Sequence, residues 1–153
     1  MVKTSEADLQ FPVLGISADD DLWGFPDLHR LTKCGPETLK KNLQADMELI
    51  DAVGRHWIVR SVRRIGSVRP LLSILLISWP PQSRIEHELE AKGAMSIEDV
   101  RRRIRTTVET HPDYYFDDPR EEGELEALLA QVDRASSVAE LYQLLGPDTF
   151  EPY

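Results

Sequence analysis

The spacing of apolar positions changes once along this chain, near residue 96. Before that point apolar residues fall in short runs or in two-residue alternation. After it they recur every three or four positions, the helical period. Phe11–Ala18, FPVLGISA, is an apolar run opened by a proline and predicts a strand. Asp19-Asp20-Asp21 predicts a turn, and Leu22–Phe25 the returning strand. Residues 26–43 read as a helix broken at Cys34-Gly35-Pro36.

Met47–Asp51 and Arg55–Ile65 flank Ala52-Val53-Gly54, where the glycine supplies the positive φ of a short hairpin loop. In HWIVRSVRRI, strict alternation puts Trp57, Val59 and Ile65 on one face and Ile58 and Val62 on the other. Leu71–Trp79 is apolar on both faces and reads as a central strand or a covered edge, ended by Pro80-Pro81. In Arg84–Ala91, Ile85, His87 and Leu89 face inward, and Glu86, Glu88 and Glu90 face water.

Ser96 with Asp99 then opens a helix whose apolar stripe is Ile97, Val100, Ile104 and Val108, ended by His111-Pro112. Pro119–Ala135 predicts a second helix, with Leu125, Leu128, Leu129 and Val132 inward. Ser137 with Glu140 caps a third, Val138–Leu145, stopped by Gly146-Pro147. Strands first and helices last give an α+β fold. The expectation is a mostly antiparallel β-meander of four to six strands with three helices in the C-terminal part. It forms one domain over residues 11–150, preceded by a loose tail at 1–10. The expected core is Leu14, Ile16, Leu49, Trp57, Val59, Leu75, Ile77, Leu89, Ile97, Val100, Ile104, Leu128 and Val132.

Composition adds limits. Of 153 residues, 41% are apolar and 29% charged, a globular balance. Cys34 stands alone, so neither an intrachain disulfide nor a zinc site built from several cysteines is available. Residues 1–10 hold no apolar leader, and Leu71–Trp79 has about half the length a membrane helix needs. The expected location is the cytoplasm, with no membrane partner.

The net charge of −9 is unevenly spread. Residues 113–153 carry eleven acidic residues against only Arg120 and Arg134, while residues 1–112 are balanced. Such a lobe repels phosphate backbones and attracts basic surfaces.

Reactive groups follow no catalytic grammar. Adjacent aspartates at 19–21 cannot all point at one ion, and the twelve-residue calcium-loop pattern is missing. His29, His56, His87 and His111 lie far apart in sequence, and His87 reads as a hydrogen-bonded core histidine. No nucleophile elbow, phosphate loop or dinucleotide fingerprint occurs. No catalytic residue, metal ligand or cofactor is therefore assigned.

Arg55, Arg60, Arg63, Arg64 and Arg69, with Trp57, form a basic stretch on one strand. Arg101, Arg102, Arg103 and Arg105 form a second on a helix. Together they raise a nucleic-acid reading. The helix arginines have Glu98 and Asp99 one turn before Arg102 and Arg103, and the strand arginines can answer the Glu86/Glu88/Glu90 row. A small enzyme with a site assembled from scattered residues is the other alternative.

The stretch LIDAVGRHWIVRSVRRIG, residues 49–66, is followed by RIEHELE and a serine-led helix. It resembles small uncharacterised bacterial α+β proteins with a hairpin of the form hydrophobic-Asp-x-x-Gly-Arg-x-aromatic-x-Val. Their build is similar to that of immunity proteins that block bacterial toxins. The resemblance implies stoichiometric binding of another protein, a toxin domain in that setting, and it transfers no catalytic residue; the acidic lobe of residues 113–153 points to a basic partner. The expected contact surface is Asp113, Tyr114, Tyr115, Phe116, Asp117, Asp118, Glu121, Glu122 and Glu124, carboxylates around aromatic anchors.

Overall fold

The structure, a computed structural model, describes residues 1–68, 82–115 and 123–146. The strands are β1 (Val2–Lys3), β2 (Val13–Ile16), β3 (Leu22–Phe25), β4 (Lys33–Cys34), β5 (Glu48–Ile50), β6 (Arg55–Val68) and β7 (Gln82–Ala94). The helices are α1 (Leu28–Leu31), α2 (Pro36–Lys41), α3 (Ile97–Thr110), α4 (Glu124–Arg134) and α5 (Val138–Leu145). The described strands form one antiparallel sheet in the order β1-β7-β6-β5-β2-β3, with β4 also paired to β7. This is the expected α+β class. The strands beyond the expected range are the two-residue β1 and β4, too short to leave a periodic trace in sequence. Leu71–Trp79, with Leu75 and Ile77, lies outside the described residues.

Each face of the sheet builds its own core. Leu14, Ile16, Leu22 and Ile50 point to one side and meet Val100, Ile104 and Val108 of α3, Leu129 and Val132 of α4, and Leu141 of α5. On the other side Val13, Trp23, Phe25, Leu49, Val59 and Leu89 gather around Met47 and Leu31. Neighbouring residues of a strand thus enter different cores, the period-two rule with both faces covered. Gly15 belongs to this packing: a Cβ there would stand 2.8 Å from the Phe25 ring and 2.9 Å from Met47 Sδ. Trp57, Ile97 and Leu128 are half-buried at the core margins.

Strict alternation fails on β6. The register with β7 slips between Val59 and Ser61 and again between Arg64 and Gly66, leaving Arg60 and Ile65 as extra residues. The first bulge returns Val62 to the face of Val59, opposite His87, rather than the opposite face alternation predicts. The second leaves Ile65 53% exposed.

Residues 1–10, expected as a loose tail, are laid along the sheet. Val2 pairs with Leu89, Thr4 is buried, and Leu9 enters the second core with Ala7 and Phe11 at its rim. The anchor of this segment is Asp51, fully buried at the head of the β5–β6 loop. Its Oδ1 accepts from the amides of Val53 (3.1 Å) and Arg55 (2.9 Å). Its Oδ2 accepts from Arg55 Nε (2.8 Å) and the Gln10 amide (3.3 Å). Gly54 follows at φ 84°, and its carbonyl receives the Met95 amide at 2.8 Å, tying the loop to the base of α3.

Two of the three C-terminal helices start where the sequence signals them. Ser96 Oγ accepts the Asp99 amide and Ser137 Oγ the Glu140 amide. The Glu140 carboxylate closes its box one residue early, on the Ser136 amide at 2.7 Å and the Ser136 hydroxyl. The middle helix starts at Glu124 instead of Pro119, after Gly123 at φ 102°, and residues 116–122 lie outside the described set.

Asp51→Ala removes the acceptor of four donors and strands a half-buried guanidinium. It should lower the unfolding free energy by about 3 kcal/mol. The measurement is a drop in urea midpoint at unchanged slope. A drop of less than about 1 kcal/mol, the scale of an exposed ion pair, would show that the hub is dispensable.

Candidate functional site

The described part of the expected contact surface is Asp113, Tyr114, Tyr115 and Glu124. Phe116, Asp117, Asp118, Glu121 and Glu122 lie outside the described residues. After α3 the chain tightens into a 3₁₀ turn, Pro112–Tyr114, because Pro112 cannot continue the α-helical hydrogen bonding. The Tyr114 amide donates to His111 O at 3.2 Å and the Tyr115 amide to Pro112 O at 3.1 Å. Asp113 and Tyr114 are exposed, and Tyr115 turns half inward against the helix-side core.

What the sequence does not reveal is the neighbour of this turn. The β2–β3 hairpin loop, Asp19-Asp20-Asp21, comes up beside it. Ser17 Oγ accepts the amides of Asp19 (3.2 Å) and Asp21 (3.1 Å), and Asp20 sits at φ 63°, a conformation aspartate tolerates. His111 Nε2 donates to Asp19 O at 2.9 Å and lies 3.5 Å from Asp21 Oδ1. Its ring stacks on Tyr114 with centroids 4.9 Å apart. From behind, the Arg103 guanidinium holds Asp20 Oδ1 at 2.8 Å and Glu48 Oε1 at 3.0 Å. The result is one surface of Asp19, Asp21, Asp113 and Tyr114, drawn from segments about ninety positions apart. A sequence signal existed only in its parts: three aspartates in a turn, and a histidine-proline stop beside paired tyrosines.

Both tyrosines stay neutral. Partial burial, a hydrogen bond to Asp21 and the charges of Asp21, Asp113 and Asp19 hold the Tyr114 hydroxyl above the usual tyrosine range. Burial first, then Asp21 and Tyr114, push Tyr115 up to about 12. Glu124 begins α4, exposed, with Glu126 in the same first turn, where the helix dipole favours acids.

The arginines are mostly committed. Arg55 binds Asp51, Arg60 binds Glu90 and Asp46 (3.2 Å), and Arg63 binds Glu86 (2.8 Å). The row Glu86, Glu88 and Glu90 is thus answered across the sheet, with Ser61 donating to Glu88 at 2.9 Å. Lys92 and Arg60 hold the Glu90 carboxyl down at about 2. On α3 the pairing differs from the one-turn prediction: Arg102 turns back to Asp99 at 3.0 Å, Arg103 crosses to β5 and the Asp20 turn, and Arg105 bridges Glu109 and Asp133. Trp57 is half-buried at the second core, not a free stacking platform. Arg69 lies outside the described residues.

The four histidines occupy four separate places. His29 is exposed, and His111 belongs to the acidic turn. His56 Nε2 lies 3.2 Å from Glu48 Oε2, in a contact too poorly aligned to count as a hydrogen bond. It lines an open groove of about 400 Å³ with Met95, Arg102, Arg103 and Thr106. His87 is buried with both ring nitrogens occupied, Nδ1 2.9 Å from Thr4 Oγ1 and Nε2 2.8 Å from Gln44 Oε1. Among the described residues no three His, Cys, Asp or Glu side chains converge as a metal site would require. Among them too, no helix is long and apolar enough to cross a membrane.

No family model, curated protein or solved structure matches this chain.

Burial lowers the His87 pKa from 6.5 to about 4. Between these values the unfolded chain binds a proton that the folded one does not, so stability rises with pH across the window and is lost as pH falls through it. The shift corresponds to roughly 3 kcal/mol. Urea midpoints of the wild type should fall from pH 7 to pH 4.5, and those of His87→Gln should fall much less. An equal fall in both proteins would place the acid sensitivity elsewhere.

Proposed function

We propose that the protein works by stoichiometric binding of a basic protein partner through the surface of Asp19, Asp21, Asp113 and Tyr114. The observation that carries this reading is the setting of Tyr114. The residue is 45% exposed, yet its ring is fixed by stacking on His111 and flanked by carboxylates from two segments. An aromatic side chain ordered before binding loses little entropy on contact and supplies affinity, while the surrounding charges speed encounter with a positive surface. In sequence the acidity continues through Asp117, Asp118, Glu121, Glu122, Glu124 and Glu126, which extends the attraction beyond the first contact.

Neutralisation of a basic bacterial toxin is the biological form we assign to this binding. It is supported by the charge distribution, since an acidic plug suits the positively charged cleft of a nuclease. The ordinary pairing of the β6 and α3 arginines supports a protein partner over nucleic acid, because guanidinium groups already bound to carboxylates release few phosphate counterions.

The test is parallel affinity capture from the native host with the wild type, Tyr114→Ala and Asp19→Lys/Asp113→Lys. The wild type should retain one basic protein at near-equal stoichiometry. With that protein purified, the aspartate double variant should associate about tenfold more slowly at low salt, and Tyr114→Ala should mainly speed dissociation. If the recovered partner is not basic, or binds all three proteins alike, this surface is not the interface. A toxin domain whose activity is blocked at equal stoichiometry supports the biological form, and a metabolic enzyme as partner refutes it.

A further inference from the structure

The acidic surface leaves unused a second feature, the outer edge of β6. β5 pairs with β6 only at His56–Ile58, and the last bonds on that side join Asp46 and Met47 to Val59. From Ser61 to Val68 the strand has β7 on one side and no strand on the other among the described residues. Its residues there are exposed or half-exposed. An unpaired edge of this kind presents backbone donors and acceptors at the spacing of another strand.

The side chains beside it limit what can pair. Arg60, Arg63 and Arg64 stand along the edge. Arg60 and Arg63 are tied to acids, while among the described residues Arg64 reaches the hydroxyls of Ser83 (3.1 Å) and Ser67 (2.8 Å). At the same end Lys33 and Arg84 are directly opposed on β4 and β7, one strand inward from this edge. Opposed cations on neighbouring strands are unfavourable in isolation. A second copy brought edge to edge would set its own Arg64 against this one, which disfavours self-pairing. The same charges favour a strand that carries carboxylates. The bulge at Ile65 ends the run of regular register begun at Ser61 and leaves an apolar side chain, 53% exposed, where an added strand would pass.

We propose that the β6 edge from Ser61 to Arg64 receives an extended acidic peptide segment of a partner by β-strand addition. Backbone hydrogen bonds set the register, Arg64 meets a carboxylate, and Ile65 meets an apolar residue of the peptide. A protein segment fits better than nucleic acid, because an unpaired row of amides and carbonyls complements another peptide backbone and not a sugar-phosphate chain. This inference is independent of the acidic surface at Tyr114, which lies on other elements.

The probe is a short capped peptide of alternating valine and glutamate, with a control of the same composition interrupted by proline. The full chain should bind the alternating peptide saturably at low salt, with slowed hydrogen exchange at amides within 61–64. The proline control should bind at least about tenfold more weakly, since it cannot form the ladder. Arg64→Glu, which breaks no ion pair among the described residues, should weaken binding by a similar factor of about ten. Arg63→Glu/Arg64→Glu, checked by thermal melt for folding, should abolish it. Equal binding of both peptides, unchanged exchange at 61–64, or undiminished affinity of Arg64→Glu would each overturn the proposal. Concentration-dependent dimerisation through this edge, or displacement of the peptide by a single-stranded oligothymidylate of higher affinity, would reassign the edge and overturn it as well.

Discussion

The buried carboxylate of Asp51 organises the region where four parts of the chain meet. It closes the β5–β6 loop, neutralises Arg55 at the start of the longest strand, and fixes the N-terminal segment through Gln10. Through Gly54 the same loop holds Met95, from which α3 departs. A charged group at zero exposure is tolerable only with several aligned donors, and this one has four. The Asp-x-x-Gly-Arg spacing in the sequence is therefore a structural device: one residue to accept, one to turn, one to neutralise. A Cβ on Gly54 would stand 2.8 Å from Met95 O, so the loop and the helix base depend on the same missing methyl group.

From that junction the sheet distributes charge in an ordered way. The helix-side face of β6 and β7 is a ladder of arginine–glutamate and serine–glutamate pairs. The bulge at Arg60 keeps that ladder outward while returning Val62 to the apolar side. At one margin Arg103 ties the acidic β2–β3 loop to β5 and so sets the place of Asp20 beside α3. Near Lys33, Arg64 and Arg84 cations accumulate instead. A protein of net charge −9 thus has an acidic surface and a basic edge on separate elements.

Local features were legible in the sequence wherever a short-range rule governs them. The Ser96 and Ser137 caps, the Gly54 loop and the inward set Ile85, His87 and Leu89 all follow from spacing within a few residues. Strand parity past Val59 was not legible, because a bulge needs only one extra residue and Arg60 has no composition that announces it. The docking of residues 1–10 was also hidden. Val2, Leu9 and Phe11 are too sparse to define a period, and their partners lie in β7 and the Asp51 loop. Half of the candidate site, Asp113 and Tyr114, could be marked as acid beside aromatic. Its other half, Asp19 and Asp21, is brought there by the hairpin and by His111, a contact across 92 positions.

The pairing of β1 with β7 also constrains the order in which the molecule can be made. Thr4 and His87 are 83 positions apart, yet each completes the other's hydrogen bonding in the second core. During synthesis from the N-terminus, the early residues must wait until β7 has been made before their sheet edge exists. Until then Leu9, Val13 and Phe25 lack Leu89, one wall of the cluster they share. Long-range closures of this kind slow folding and prolong the exposure of apolar surface. The cell therefore meets this protein first as an incomplete sheet with one apolar face still open.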